Sequence, residues 1–421
     1  MTCRASALLI ALAVLPAGQL AAQVSDPALK HANALLSHTP LVDGHNDLPW
    51  EIRVDSAHPG DVAAYDLRGH VRGQTDIPRM RTGHLGAQFW SLYIPGEIKD
   101  SGYARVQLEQ FDIARRMIAR YPNDLEFVTT ADGIERAFRH HKVGSVLGLE
   151  GGHAIENSLG ALRVYYDLGA RYMTLTHNVT LDWADAALDS ATHGGLTKFG
   201  EEVVREMNRL GMLIDLSHVS PGTMSDALNV TRAPVIFSHS SARAIVDHPR
   251  DVPDSILGRM RQNGGVVMVT FVPGFISRAI HDSQESYQAQ MQQLTAGVTD
   301  TAQRRQIRRN FQATHALPKA GIADVVAHVE HVRDLAGIDH VAIGSDFDGT
   351  DELPVGLEDV STYPALFAEL IRRGWSDADL KKLAGLNVIR VLRQAEQVAA
   401  RLQRERAPST ATIFSLDGGS R

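Results

Sequence analysis

The chain has almost no cysteine. Cys3 is the single cysteine among 421 residues, so no internal disulfide, CxxC redox pair or cysteine-rich zinc knuckle can form. Any bound metal must therefore take its ligands from histidine, aspartate and glutamate. The 19 histidines are numerous enough for this purpose, so their placement along the chain, and not their number, is informative.

A block of basic residues is also lacking. The formal net charge is −7, and no cluster of lysine and arginine stands out. Such a chain has no electrostatic basis for binding nucleic acid, and we predict no nucleic-acid partner. With 44% hydrophobic and 22% charged residues, the composition is that of a globular protein. The length allows two or three ordinary domains or a single large α/β barrel with insertions.

The N-terminal apolar run is too short to span a membrane, which takes about 20 residues. It covers residues 7–15, follows Arg4 and precedes small residues up to Ala22. This pattern predicts a secretory signal peptide over residues 1–22, cleaved near Ala22, and export to the periplasm or out of the cell. An uncleaved anchor or a buried N-terminal helix is the alternative. The C-terminus carries no apolar tail, so we predict no membrane anchor.

Short apolar segments alternate with amphipathic helices along the rest of the chain. Continuous apolar runs are typical of parallel strands that are covered on both faces. Helices are predicted at 159–168, 197–210 and 323–336, each followed by a glycine that ends it. The eight predicted strands are 40–43, 87–94, 145–149, 172–176, 212–216, 234–237, 265–270 and 340–343.

Eight strands with intervening helices predict a (β/α)₈ TIM-type barrel. An open doubly wound sheet is the alternative, but neither GxGxxG nor GxxxxGK[ST] occurs, so its usual nucleotide-binding signatures are absent. We predict one barrel domain over residues 23–405. Residues 283–314, rich in glutamine and arginine, are predicted to form a polar helical insertion, and residues 406–421 a flexible tail.

Histidine or carboxylate side chains follow most of the predicted strands. In a barrel of this kind the loops after the strands converge at one end, which is where catalytic groups lie. A single histidine after a strand is usually a hydrogen-bonded loop residue, but the same placement after six strands indicates a metal site. The residues are His45 and Asp47 after the first strand, then Glu150, His177, His218, His239 and Asp346.

The ligand types favour zinc, with cobalt or manganese as substitutes, because imidazoles and carboxylates are present without thiolate. In an extended segment His45 and Asp47 point to the same side. His218 and His239 come from adjacent strands and can meet over a second ion, and Glu150 has two oxygens with which to bridge both. Such a pair of ions would hold a bridging hydroxide that is nucleophilic at neutral pH.

Other candidate motifs are weaker. His328, Glu330 and His331 fit neither HExxH nor HxxEH and lie in a predicted amphipathic helix, so we interpret them as part of a solvated face. The serine-nucleophile signatures GxSxG and SxxK are absent.

Six segments resemble the membrane (renal-type) dipeptidases, the M19 metallopeptidases of the amidohydrolase superfamily. They span about 310 residues, occur in the order found in that family and are highly specific in combination. The segments are 42–49 (VDGHNDLP), 148–153 (GLEGGH), 172–178 (YMTLTHN), 214–220 (IDLSHVS), 237–242 (FSHSSA) and 343–349 (IGSDFDG).

The resemblance implies a binuclear zinc site and a dipeptide substrate. It assigns His45 and Asp47 to one ion, His218 and His239 to the other, and Glu150 to both. It further implies the roles of three more residues: His177 holds the substrate carbonyl oxygen as negative charge develops, Asp346 shuttles the proton, and Arg250 clamps the free carboxylate of the substrate. A homodimer is implied as well.

The sequence and this resemblance therefore predict an exported, zinc-dependent dipeptidase. The resemblance further implies tolerance of a D-residue on the C-terminal side of the substrate. Phe275 stands where relatives often carry a polar aromatic residue, which puts the substrate preference in question. One alternative is an amidohydrolase acting on another amide, such as an N-acyl amino acid or a lactam. The other is an inactive metal-binding receptor, against which the presence of Asp346 and His177 argues.

Overall fold

The fold is a closed barrel of parallel strands, seen in a computed structural model that describes residues 26–298, 301–314 and 318–418. The strands are short and almost wholly buried, as their apolar sequences require. In chain order they are β1 (Leu41–Asn46), β2 (Leu85–Ser91), β3 (Leu125–Phe127), β4 (Val143–Glu150), β5 (Ala170–Thr174), β6 (Leu213–Asp215), β7 (Ile236–Phe237), β8 (Val266–Val269) and β9 (Val341–Ile343).

Eight of these strands form the barrel. The order β1-β2-β4-β5-β6-β7-β8-β9 closes through the pairing of β9 with β1, and every pairing is parallel. Each of the eight overlaps a predicted strand, and the predicted (β/α)₈ fold is confirmed. The ninth strand, β3, was not predicted. It pairs with the first residues of β4, from Val143 to Ser145. Strand β5 pairs with the same edge of β4 from Leu147 onward.

Helices connect and surround the strands. They are α1 (Pro27–Leu36), α2 (Leu48–Val54), α3 (Ile77–Thr82), α4 (Tyr103–Arg120), α5 (Ala131–Arg139), α6 (Leu159–Asp167), α7 (Lys198–Leu210), α8 (Pro221–Val230), α9 (Asp254–Leu257), α10 (Met260–Asn263), α11 (Pro273–Ile276), α12 (Arg278–Thr295), α13 (Thr301–Thr314), α14 (Ile322–Ala336), α15 (Tyr363–Arg372), α16 (Asp377–Lys381), α17 (Asn387–Glu405) and α18 (Ile413–Asp417). The predicted helices correspond to α6, α7 and α14.

Local sequence sets the ends of α7. The Thr197 hydroxyl accepts a hydrogen bond from the amide of Gly200 and caps the first turn. Gly211 ends the helix in the left-handed conformation, with φ of 87°, which glycine adopts without steric cost. The helix thus begins and ends where polar and glycine residues interrupt its apolar pattern.

The space inside the barrel is filled with side chains. Phe89 of β2 and Tyr172 of β5 stack with ring centroids 5.4 Å apart, although β4 lies between their strands. Gly148 of β4 permits this contact, because a Cβ atom there would overlap the Tyr172 ring. The same apolar cluster includes Val388 and Leu392 of α17. The interior is therefore a packed core, and the polar groups lie beyond it at the carboxyl ends of the strands.

Two peripheral segments complete the chain. The predicted polar insertion at 283–314 overlaps α12 and α13. The predicted tail at 406–421 is not wholly irregular, because it contains α18, where the Asp417 carboxylate accepts hydrogen bonds from the Thr197 hydroxyl (2.6 Å) and the Phe199 amide. The predicted signal peptide lies outside the described residues. In the part of the chain that the structure describes, no helix is long and apolar enough to cross a membrane.

Candidate metal centre

The polar residues predicted at the strand ends converge on one cavity of about 470 Å³. His45 is part of β1, Glu150 is the last residue of β4, and the others lie in the turns directly after their strands. The residues that line the cavity include Asp47, Glu150, His177, His218, His239, Arg250 and Asp346. The expected convergence at the carboxyl ends of parallel strands is thus present in the structure.

Glu150 lies at the centre of this group. Its Oε1 atom is 3.1 Å from Nε2 of His218, 3.5 Å from Nε2 of His45 and 3.6 Å from Nε2 of His239. Nε2 of His45 is also 3.2 Å from Oδ2 of Asp47. Several lone-pair donors therefore point at two adjacent positions, with one carboxylate oxygen between them.

The donor set fits divalent metal ions. Both ring nitrogens of His45 and Oδ1 of Asp47 are buried and have no hydrogen-bond partner within the described residues. Burying such atoms unpaired costs free energy, and coordination of a cation removes that cost. Ligand atoms lie within 4.8 Å of one another in three overlapping groups: His45, Asp47 and Glu150; Glu150, His218 and His239; and His45, His239 and Asp346.

Hydrogen bonds fix the tautomers of two of these histidines. Nδ1 of His218 lies 3.0 Å from the side-chain oxygen of Asn178, which can only accept, so Nδ1 carries the proton. The Ser238 hydroxyl donates to Asp215 at 2.6 Å and accepts from Nδ1 of His239 at 2.8 Å. In both rings Nε2 is therefore the unprotonated nitrogen; the two Nε2 atoms lie 2.9 Å apart and both face Glu150, as metal ligands would.

The surroundings shift the pKa values of Glu150 and Asp346 in opposite directions. Burial raises the pKa of Glu150, but the imidazoles of His45 and His218 outweigh it and hold that pKa well below its usual range. Burial also raises the pKa of Asp346, to about 8 in the absence of metal ions. A carboxylate that takes up a proton near neutral pH is suited to proton transfer, whereas one that stays ionised is suited to ligation.

The loop after β9 is built for close approach of carboxylates. Asp346 adopts a left-handed conformation with φ of 67°, a sparsely populated region for a residue with a side chain. A Cβ atom at position 349 would overlap Oδ1 of Asp346 and Oδ2 of Asp47, and the glycine found there avoids this. Steric crowding thus explains why the Asp-Phe-Asp-Gly sequence ends in glycine.

Arg250 and His177 border the same cavity. Only 2% of Arg250 is exposed; its guanidinium lies 3.3 Å from the Ser240 hydroxyl and 5.4 Å from the ring centroid of Phe275. Among the described residues, no carboxylate lies within 4.0 Å of that guanidinium. His177 has 14% of its side chain exposed, with Nε2 3.8 Å from Glu150. Arg250 therefore has charge available for an anionic group in the cavity.

Sequence reasoning missed the residues that orient the ligands. Asn178, Asp215 and Ser238 all occur within the segments that carry the family resemblance, next to predicted ligands, and that adjacency was the available signal. Ser91 was missed as well; its hydroxyl donates to Oε2 of Glu150 at 2.8 Å. Its position at the end of β2 was the corresponding signal.

The interpretation of His328 as part of a solvated face is wrong. Its side chain is fully buried, where α14 packs against α11 and the loop after β7. Nδ1 accepts from the amide of Ala242 at 2.9 Å, and Nε2 lies 3.2 Å from the carbonyl of Ile276. Both ring nitrogens are thus used within the protein, and the residue has a structural role. His331, on the same helix, lies at the surface and pairs with Asp254.

Comparison with known proteins identifies the family. The model of the membrane dipeptidase family, peptidase family M19, matches residues 29–406. The chain belongs to this family. The predicted family and the predicted class of enzyme, a metallo-dipeptidase, are confirmed. Dipeptidase 3 of Rattus norvegicus is 42% identical over 380 residues, which cover 89% of this chain and 69% of the relative. The corresponding mouse protein is 41% identical over the same length.

Solved structures share the fold of this chain. The probable dipeptidase PvdM of Pseudomonas aeruginosa is 25% identical with a TM-score of 0.75, covering 88% of this chain and 99% of that one. A Rhodobacter sphaeroides metallopeptidase, liganded with a phosphinate mimic of L-Ala-D-Ala, is 24% identical with a TM-score of 0.69. It covers 85% of this chain and 99% of its own. Within the family the roles of individual residues of this chain stay predictions.

Proposed function

We propose that this metallo-dipeptidase uses two zinc ions to hydrolyse dipeptides with a free C-terminal carboxylate. The observation that carries the proposal is the position of Glu150, whose Oε1 atom is shared by two groups of ligands in the cavity that also contains Arg250. A single ion would leave one of the two groups without a cation. A cavity with no anion-binding group would not select for a nearby carboxylate.

In this proposal His45 and Asp47 hold one ion, His218 and His239 hold the other, and Glu150 contributes to both. Imidazole and carboxylate ligands without thiolate favour zinc, and cobalt or manganese would substitute. When bound, such ions would polarise the amide carbonyl and lower the pKa of a water molecule, and would so supply the proposed metal-bridging hydroxide as a nucleophile near neutral pH. Other side chains around the cavity bind the substrate and transfer the proton.

Arg250 binds the C-terminal carboxylate of the substrate. A guanidinium can do this with two parallel hydrogen bonds, which fixes the orientation of the substrate as well as its position. Because Arg250 lines the same cavity as the ligand cluster, the carboxylate it binds must lie close to the scissile amide. Nη2 of Arg250 lies 3.4 Å from the backbone carbonyl of His239, so a substrate with one residue beyond the scissile bond fits between Arg250 and the cluster.

His177 and Asp346 act on the reacting atoms. His177 faces the cavity beside Glu150, where its ring can donate to the carbonyl oxygen as negative charge develops. Asp346 takes the proton of the attacking water and delivers it to the leaving amine. Asp346 lines the cavity with Oδ1 3.9 Å from Nε2 of His45, which places its carboxyl beside the ligand cluster for this transfer.

Substrate stereochemistry, assembly and location are further parts of the proposal. Tolerance of a C-terminal D-residue is supported by the ligand of the R. sphaeroides enzyme, a mimic of L-Ala-D-Ala. Phe275 packs on Arg250 and offers no hydroxyl to the substrate carboxylate, so Arg250 binds it without help from that side chain. We also propose a homodimer, which light scattering would test, and export to the periplasm or the medium after cleavage near Ala22, which N-terminal sequencing would test.

The proposal is tested by amino-acid release from a panel of dipeptides. The zinc-loaded protein is expected to cleave L,L and L,D dipeptides and to leave C-terminally amidated counterparts largely intact. Arg250→Met should abolish this discrimination by raising KM for the free acids only. Equal cleavage of acids and amides would contradict the role of Arg250. No cleavage of any dipeptide, with two metal ions bound, would contradict the proposed function and favour another amide substrate or a receptor.

A further inference from the structure

The cavity around the ligand cluster has walls of opposite charge. Arg250 lies on one side, with Phe275 over its guanidinium. Glu51, Asp348 and Asp351 come from α2 and the loop after β9, and β8 separates β9 from the strand β7 that precedes Arg250. The position of Arg250 fixes which end of a bound dipeptide faces each wall. The carboxyl end points to Arg250, so the N-terminal residue points to the acidic side.

Two of the acidic residues have no counterion. Glu51 is half-buried, Asp351 is exposed, and neither has a lysine or arginine nitrogen within 4.0 Å among the described residues. Asp348 differs, since its Oδ1 accepts from the amide of Gln74 at 2.6 Å and its own amide donates to the Gln74 side chain. Asp348 therefore holds the loop in place, whereas Glu51 and Asp351 are free to bind a cation.

Glu51 differs from several other glutamates in lining the cavity without an ion-pair partner. Glu109, Glu201 and Glu206 each have an arginine within 3.0 Å. Arg72 interacts with Glu51 electrostatically but does not form an ion pair with it. A half-buried carboxylate that is unpaired in the free protein is stabilised when a cation enters the cavity.

Two cationic groups of a dipeptide could in principle bind Glu51: the α-ammonium group and a charged side chain of the N-terminal residue. Their distances from the ligand cluster decide between them. The α-ammonium group of a dipeptide lies two bonds from the scissile carbonyl carbon and so stays beside the cluster. Glu51 lies one helical turn beyond Asp47, and its amide donates to the Asp47 carbonyl at 3.0 Å. One turn is about 5.4 Å along the helix, a distance that a lysine or arginine side chain spans.

Aromatic residues line the path between the cluster and Glu51. Trp50 and Tyr93 both border the cavity and meet edge to face, with ring centroids 4.9 Å apart. The methylene groups of a long cationic side chain can pack against such rings while the charged end reaches a carboxylate. The wall therefore combines an apolar surface with unpaired negative charge beyond it.

We propose that Glu51, assisted by Asp351, selects dipeptides whose N-terminal residue carries a cationic side chain, lysine or arginine. This inference rests on the proposed function, since it requires the dipeptide to be bound by Arg250 at its other end. It concerns specificity and not the chemical step.

The test compares two substrates that differ in one charge, arginyl-alanine and citrullinyl-alanine. Citrulline is a neutral near-isostere of arginine, so the ratio of the two kcat/KM values isolates the effect of the charge. We expect the wild-type protein to favour arginyl-alanine by about tenfold or more. Glu51→Gln should reduce the ratio to within about twofold of one, and Asp351→Asn, at an exposed position that folding does not need, should reduce it in part.

Asp112→Asn is the matched control, because Asp112 is an exposed carboxylate on α4 away from the cavity. It should leave the ratio unchanged. A wild-type ratio near one, or a ratio that Glu51→Gln and Asp351→Asn both leave intact, would overturn the inference while dipeptide hydrolysis itself stands. If neither substrate is cleaved by the zinc-loaded protein, the failure lies with the proposed function.

Discussion

Two kinds of buried histidine occur in this protein, and they differ in what their ring nitrogens contact. At the carboxyl ends of the strands, His45 has no hydrogen-bond partner at either nitrogen, and its Nε2 faces two carboxylates. On the outer layer, His328 is equally buried, but both of its nitrogens are hydrogen-bonded to backbone groups. Burial alone therefore does not mark a ligand. An unsatisfied nitrogen beside a carboxylate does.

We expect the largest loss of metal affinity when the carboxylate shared by both ligand groups, that of Glu150, is removed. Glu150→Gln removes the negative charge that draws both ligand groups together, so we expect metal affinity to fall by more than about 100-fold and activity to fall with it. Metal content after dialysis and dipeptide turnover measure the two effects. His328→Gln is the matched control and should keep its metal. Retention of two tightly bound ions by the Glu150 variant would contradict the bridging role.

A variant of Asp346 tests whether this carboxylate of the same cluster transfers protons and does not bind metal. Asp346→Asn keeps the shape of the side chain but cannot accept a proton, so turnover is expected to fall by about 10²- to 10⁴-fold with metal content unchanged. Single-turnover kinetics and metal analysis check this together. Full activity would exclude the proton shuttle. Loss of an ion would instead assign Asp346 to the ligand group with His45 and His239.

We expect a smaller loss of metal affinity when the changed residue does not bind the metal but orients a ligand. Ser238→Ala removes the acceptor that keeps the proton of His239 on Nδ1, and we expect metal affinity to weaken by about 10- to 100-fold. Competition with a chelator measures the affinity. Ser286→Ala, on the exposed face of α12, should have no effect and is the control. Unchanged affinity in the Ser238 variant would mean that the tautomer does not depend on this hydroxyl.

The other kind of histidine predicts a pH dependence of stability. Burial lowers the pKa of His328 to about 4 from an ordinary value of 6.5. Between these values the unfolded chain binds a proton that the folded chain does not, so the free energy of unfolding falls as the pH falls. Over this window we expect His328 to contribute a loss of about 3 kcal/mol.

Urea unfolding of the metal-free protein at pH 7.5 and pH 4.5 measures this loss. His328→Gln cannot take up the proton, so its decline over the same range should be smaller than that of the wild-type protein. Equal declines in the two proteins would show that His328 is protonated in the folded state, in conflict with its hydrogen bond from Ala242.

Much of the fold and the cluster could be predicted because both depend on position along the chain. The eight barrel strands are apolar runs of distinct composition, and residues that follow parallel strands must meet at one end of a barrel. For this reason His45, Glu150, His218 and His239 could be placed together from their spacing after the strands.

The features that were missed depend on contacts between distant segments. Strand β3 is three residues long with a central glutamate, Glu126, so it has no apolar run to detect, and only its pairing with β4 defines it. His328 follows the pattern of an amphipathic helix, but Ala242 and Ile276 cover it from elsewhere in the chain. The unpaired state of Glu51 is likewise visible only when all neighbouring cations are known.

The central claim, that one carboxylate joins two metal sites of an enzyme, is tested most directly by titrating the metal-free protein with zinc. Calorimetry and dipeptide turnover would be recorded on the same samples. We predict that binding saturates at two equivalents per chain and that activity reaches its plateau only as the second equivalent is added. Saturation at one equivalent with full activity, or no binding at all, would contradict the account.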